Sequence, residues 1–339
     1  MRPLVSRGDI ALAFLDRMLE WAGDDGLVSA LVSDRWMFAQ YGADFLAECR
    51  ADGWNLEVID DRPSNPFTKR VGAYSAIVRF SSMGCSSKEE TTSDRGKART
   101  FHGKMVEQFG TLADAGCRVR VGPALGCGGT FLLTKENAND IEEDLLWPYI
   151  ERKGLVGEKA RPSELLLAAP YDKSGQLIDL DEYPRFSAWI RNHERKLKDR
   201  SQVRAGAKWW STIDAIGPHW RESPKLLLPE LCRDPIAFAD ESGGVPSHSV
   251  YAIWPGEWPL RPLQRVLNAG LLRLTAAAES PYLTEGWFRF YKRFLVRTPL
   301  PKWHSLSRID QEGLASEDRR SFDETFERLF RFPPGRPPA

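Results

Sequence analysis

Cysteine is scarce in this chain. The five cysteines, Cys49, Cys85, Cys117, Cys127 and Cys232, are scattered, odd in number, and form no Cys-x-x-Cys pair. That excludes a disulfide framework and points to reduced thiols in a cytoplasmic protein. Histidine is equally scarce: five residues, none paired at metal-ligand spacing, give no zinc signal. The apolar N-terminal run is broken by Asp16 and Arg17, so it is neither a signal peptide nor a membrane span. No internal repeat is visible. Net charge is absent too, since 47 basic residues balance 47 acidic ones among 339. A simple polycation that coats nucleic acid is therefore excluded, whereas a neutral chain with segregated charge is not.

What is present is a 42% apolar composition, enough to fill real cores, with 12 Trp and 23 Pro. The tryptophans and prolines point to an irregular, loop-rich part with large aromatic anchors. The charge is indeed segregated. Residues 1–80 carry nine basic and twelve acidic side chains, and residues 134–182 six and twelve. Residues 185–233 carry eleven and five, and residues 286–303 five and none. The basic segments are interleaved with Trp209, Trp210, Trp220, Trp287, Phe288, Phe290 and Tyr291. A surface that meets phosphates while stacking on something has this composition; so does a solvated face over buried tryptophans.

The first 80 residues alternate. Ile10, Ala13, Phe14, Arg17 and Trp21 fall at helical spacing over 8–21, and Gly23 and Gly26 stop the helix. Leu27–Ser33 reads as a strand, 40–52 as a helix ending at Gly53, Trp54–Asp60 as a strand and Val71–Phe80 as another. The polar stretch 81–99 reads as an exposed linker, followed by a helix over 100–116. Short strands then alternate with Gly and Pro turns, and helices are expected over 184–200 and 260–278: an α+β region, not a βαβ repeat.

The ordered series over 1–80 (IALAFLDRMLEWA, GLVSALVSDRWMF, YGADFLAECRADG, WNLEVID, FTKRVGAYSAIVRF) resembles the second half of the catalytic domain of TaqI-like N6-adenine DNA methyltransferases. Phe14, Leu15, Asp16, Gly26, Val28, Arg35, Trp36 and Phe67 occupy the matching places; Ser33 and Asp34 stand where that family usually has a proline turn. The rest, from GPALGCGGTFLLT through RSQVRAGAKWWS, SPKLLLPEL and LQRVLNAGLL to RFYKRFLVRTPLP, resembles the family's target-recognition domain. The resemblance covers roughly residues 8–303.

Two family features are missing. One is a glycine-rich loop after a first strand, which holds S-adenosylmethionine. The other is an Asn/Asp/Ser-Pro-Pro-Tyr/Phe tetrapeptide. Gly122–Gly129 lies inside the recognition part and reads as a turn, and Asn65-Pro66-Phe67 has only one proline. The resemblance therefore implies half of a catalytic domain joined to a full reader. The implied fold class is α/β plus α+β: a partial class I methyltransferase sheet (strands 5, 7 and 6 of the order 3-2-1-4-5-7-6), then an irregular α+β target-recognition domain. The expected divisions are 1–82 for the half catalytic domain, 83–99 for a linker, 100–330 for recognition and 331–339 for a tail.

Roles follow residue by residue from the resemblance. Phe67 would stack on the flipped target adenine, and Phe14 would line the cofactor pocket. Lys69, Arg70, Arg200, Arg204, Lys208, Trp209, Trp210, Lys225, Arg289, Lys292 and Arg293 are the candidate DNA contacts. Arg35 and Trp36 lie beyond the carboxyl end of the first strand, Trp36 equally readable as core. No catalytic residue and no metal ligand is expected on this chain. The implied function is the DNA-recognition subunit of a split site-specific N6-adenine DNA methyltransferase of a restriction–modification or phage-defence system, inactive alone. Its partners would be double-stranded DNA and a polypeptide carrying the N-terminal methyltransferase half, which would bind S-adenosylmethionine; no membrane is involved. Leu27–Ser33 would be the open strand edge that seeks this partner. The alternative is a non-catalytic DNA-binding specificity module that positions another effector.

Overall fold

The computed structural model describes residues 9–23, 26–60, 75–82, 94–222, 224–280, 282–283, 286–332 and 334–335. Helix α1 (Ile10–Ala22) starts where the Asp9 carboxylate accepts the Ala11 N–H at 3.0 Å, and stops at Gly23, whose φ of 68° favours glycine. Its inner side buries Leu12, Leu15 and Leu19. Its outer side leaves Ile10, Phe14 and Trp21 exposed at 73%, 64% and 78%. Strand β1 (Leu27–Ser33) follows, then a 3-10 turn (Arg35–Phe38), helix α2 (Gln40–Ala51), strand β2 (Trp54–Asp60) and strand β3 (Ser75–Ser82).

These strands form one sheet in the order β1-β3-β2. The central β3 runs antiparallel to both neighbours, from Leu27↔Ser81 to Ser33↔Ser75 on one side and from Trp54↔Ser82 on the other. Trp36, Phe45 and Phe80 are fully buried beneath it and meet edge-to-face at 6.1 and 6.3 Å. Burying each such ring stabilises by about 1.5–3 kcal/mol. The packing is tight enough to demand glycine at 42, because a Cβ there would lie 1.8 Å from the Trp36 carbonyl oxygen. The third strand is described over Ser75–Ser82 and runs two residues past the expected end at 80; residues 71–74 and most of the expected linker lie outside the described residues.

Helix α3 (Asp94–Phe109) begins within the stretch read as linker and ends seven residues before the expected 116. The polar composition of 94–99 misled because this end of the helix exposes Lys97 and Arg99 to water while Ala98 is buried. Gly110, at φ 78°, ends it. Strand β4 (Arg118–Val121) then opens a six-stranded sheet. Its order is β4, Val250–Trp254, Lys225–Pro229, Phe238–Asp240, Lys159–Ala160 and Leu155–Val156. Side chains alternate across it. Val119, Leu226, Leu228, Tyr251 and Ile253 enter one core with the helices, while Leu227, Val250, Ala252 and Trp254 enter a second core. The second core also holds a four-stranded sheet that includes Leu146–Ile150 and Leu166–Ala168. The region is thus mixed, mostly antiparallel α/β with several sheets.

The expected helix 184–200 is broken into Pro184–Arg191, Glu194–Lys198 and Ser201–Arg204. The expected helix 260–278 runs from Leu260 to Glu279, with a kink at Gly270. A Cβ at Gly270 would strike the Phe332 ring at 2.6 Å. Two further helices, Arg308–Ala315 and Arg319–Phe330, close the first core with Phe322, Phe326 and Phe330. Among the described residues no helix is long and apolar enough to cross a membrane, and no group of side chains could hold a metal. Cys49, Cys117, Cys127 and Cys232 are buried and form no disulfide, and burial pushes the Cys117 and Cys232 thiols up to about 12.

Candidate nucleic-acid interface

The expected DNA contacts separate into three groups. Phe67, Lys69 and Arg70 lie outside the described residues. A second group is used internally. Lys225 was expected on the surface, yet it is 0% exposed. Its ammonium stands 2.7 Å from Asp240 Oδ2 and donates to the Trp220 carbonyl at 3.0 Å. Lys225 and Asp240 are cross-strand partners in an antiparallel pair. Asp240 Oδ1 in turn accepts from the Ser242 N–H and hydroxyl. A lysine so satisfied does not reach a phosphate.

Arg200 is likewise a clamp. Its guanidinium donates to the carbonyls of Leu197 at 3.0 Å, Trp209 at 2.7 Å and Ser211 at 2.8 Å. Burial lowers its pKa. Trp209 and Trp210 are half-buried against the second core and meet edge-to-face at 5.7 Å, and Trp210 Nε1 donates to the Ile178 carbonyl. The Arg200 segment packs on the glycine turn: a Cβ at Gly126 would lie 2.5 Å from Ile213 and 3.2 Å from Arg200. Asp214 Oδ2 accepts the Ala124 N–H at 2.8 Å from the same side. Gly122 lies against the Pro246 and Ser247 carbonyls, where a Cβ would come within 2.4 Å of each.

The third group faces solvent. Arg204 and Lys208 are exposed beside Arg191, Arg195, Lys196 and Lys198 on the broken helix. Lys198 and Lys208 stand over the Trp209 and Trp210 rings at 5.9 and 5.5 Å. Arg289, Lys292 and Arg293 form a second exposed basic segment. Arg289 is paired with Glu230 at 2.8 Å, which raises its pKa. Nearby, Phe294 meets Phe38 edge-to-face at 6.3 Å, joining this segment to the turn beyond β1. Burial raises the Tyr41 hydroxyl pKa, and Asp9 and Tyr291 add to the rise. Trp36 is core, while Phe14 lies on the open side of α1. Arg152 belongs to the acidic stretch 134–182 and Arg233 closes the basic run 185–233; only the fold brings both to Trp287.

No protein-family model matches the chain. It is 26% identical over 359 residues to the Type II methyltransferase M.XhoI of Xanthomonas vasicola, covering 92% of this chain and 66% of that one. It is 27% identical over 344 residues to M.PaeR7I of Pseudomonas aeruginosa (88% and 60%), and 24% over 365 to M.BstVI of Geobacillus stearothermophilus (93% and 65%), both Type II methyltransferases. The chain thus spans less than two thirds of the length of these relatives. Among solved structures, the Type IIL restriction-modification enzyme MmeI, in complex with DNA, aligns with a TM-score of 0.57 at 10% identity, over 96% of this chain and 48% of MmeI. Over about nine tenths of its length the chain is similar to Type II methyltransferases, and it shares the fold of part of a restriction-modification enzyme.

Proposed function

We propose that this chain is the DNA-recognition part of a site-specific N6-adenine DNA methyltransferase of a restriction–modification or phage-defence system. It completes the catalytic fold of a partner polypeptide that carries the S-adenosylmethionine site. One observation carries this reading: the sheet order β1-β3-β2, with β3 antiparallel to both neighbours. That is the arrangement expected of strands 5, 7 and 6. It leaves β1 at an edge whose outer side, among the described residues, has no strand. Beside that edge lie exposed Leu27, Leu31, Ile10, Phe14 and Trp21. A long edge with apolar flanks invites another strand and is a hazard without one.

In the glycine-rich turn Gly122–Gly129, Gly122 lies against the Pro246 and Ser247 carbonyls and Gly126 against Ile213, while Gly128 and Gly129 face open space. The turn follows β4 in the six-stranded sheet and not a strand of the N-terminal sheet, which supports reading it as a turn of the recognition part. Phe14 would be one wall of a pocket that the partner supplies. Within the assembled enzyme this chain would position DNA: the basic segments hold phosphates and Phe67 stacks on the extruded adenine. The divisions 1–82, 83–99, 100–330 and 331–339 belong to the same proposal.

Mixing tests it. The chain is combined with a separately expressed polypeptide bearing a cofactor loop and an Asn-Pro-Pro-Tyr-like ending, and labelled methyl transfer to duplex DNA is measured. Activity is expected in the mixture and in neither component. Methyl transfer by this chain alone would sink the proposal. DNA binding without transfer in any mixture would favour the specificity module instead.

A further inference from the structure

Two arginines from distant parts of the chain converge on one tryptophan. Arg152, in the turn Arg152–Gly154, and Arg233, just after the strand Leu231–Cys232, each hold a guanidinium carbon 5.4 Å from the centre of the Trp287 ring. The pattern repeats four residues along. Arg289 and Arg293 each stand 5.4 Å from the centre of Tyr291, and Arg293 lies 4.6 Å from Phe294. All four arginines are exposed. A contact with a ring face fixes a guanidinium while leaving its in-plane N–H groups available, and a fixed fork loses less freedom when it meets an oxyanion.

Part of this cluster has no acid of its own. Glu230 pairs with Arg289, Asp234 with Arg273, and Glu151 with Lys153 at 2.9 Å. Among the described residues, Arg152, Lys292 and Arg293 have no ion pair. Crowding cations around two rings costs repulsion, and a polyanion laid across them relieves it. The strip also has a destination. At its Arg293 end, Phe294 packs on Phe38, which closes the turn after β1. Open α/β sheets build their sites beyond the carboxyl ends of their strands.

We propose that Arg152 and Arg233, gathered on Trp287, extend the Arg289–Arg293 segment into a strip that grips the phosphodiester backbone of DNA and leads it to the carboxyl end of β1. The inference rests on the DNA-binding reading above. Arg152 and Arg233 are positioning residues: they meet phosphates and read no base, so their contribution does not depend on sequence.

The test uses the full chain, a fluorescent duplex of about 30 base pairs, and dissociation constants over a salt series. The double variant R152Q/R233Q is expected to reduce the slope of log affinity against log salt by about 2, equally on two unrelated duplex sequences. A control, R308Q/R320Q, removes two charges that pair with Glu312 and Glu324 on the C-terminal helices, and should leave the slope unchanged. Unchanged slopes for a folded R152Q/R233Q chain, while the wild type binds DNA, would overturn the strip and leave the DNA reading standing. Loss confined to single-stranded RNA would also overturn it. A wild-type chain with no salt-dependent duplex binding would overturn both.

Discussion

At the scale of single residues, the structure divides cations into those that hold the fold and those that face outward. Lys225 belongs to the first kind. Replacing it by Met leaves Asp240 buried and unpaired, which should cost about 3–5 kcal/mol in urea denaturation. The double change Lys225→Met with Asp240→Leu should recover most of that loss, because both charges go together. His102 gives a pH dependence. It is 1% exposed, 3.7 Å from Glu279 Oε1. Burial lowers its pKa most, and the Arg297 and Arg99 cations lower it further against the opposing pull of Glu279. The native state thus holds fewer protons at this site than the unfolded chain, whose histidine titrates near 6.5. Stability should therefore fall as pH drops below about 6.5, and His102→Gln should flatten that part of the curve. None of this was legible in the sequence. A lysine at a strand end and an arginine in a basic run look the same whether they face a carboxylate or water; only the cross-strand register to Asp240 and the carbonyls around Arg200 decide.

At the scale of elements, the sequence was most readable where periodicity and punctuation agree. The strands Leu27–Ser33 and Trp54–Asp60 stand where they were expected, and α1 and α2 differ from expectation by one or two residues at their ends. Gly23 and Gly53 mark the stops, both at positive φ. The reading failed where polarity was taken for an exposed linker, at 94–99, and where one long helix was drawn through Asn192 and Asp199, which cap the ends of two shorter helices. It was silent on the C-terminal helices, although Phe322, Phe326 and Phe330 follow a helical interval and Asp318 caps the start. The candidate site was half-legible: the basic-aromatic composition of 286–303 was visible, its convergence with Arg152 and Arg233 was not. The open edge makes its own prediction. Leu31→Lys places a charge on an exposed edge position at 43% exposure, so the isolated chain should stay folded. Its association with the complementary polypeptide should weaken about tenfold or more in a binding titration, since edge charges block strand pairing. Unchanged association would place the contact elsewhere.

At the scale of the whole molecule, the neutral sum conceals a partition. The six-stranded sheet carries one core on each face, and the exposed members of the basic runs, Arg204, Lys208, Arg289, Lys292 and Arg293 among them, face water, while the first 80 residues are net acidic. The third core, around Trp36, Phe45 and Phe80, belongs to the N-terminal sheet alone. Among the described residues this core comprises eleven buried side chains. On the proposed reading, the open edge of β1 among the described residues has a consequence for the cell. A copy made beyond the supply of its complement would carry an adhesive border that another copy can occupy. The two polypeptides are therefore expected to be made in matched amounts, from one message or in close succession, which would keep this border from polymerising.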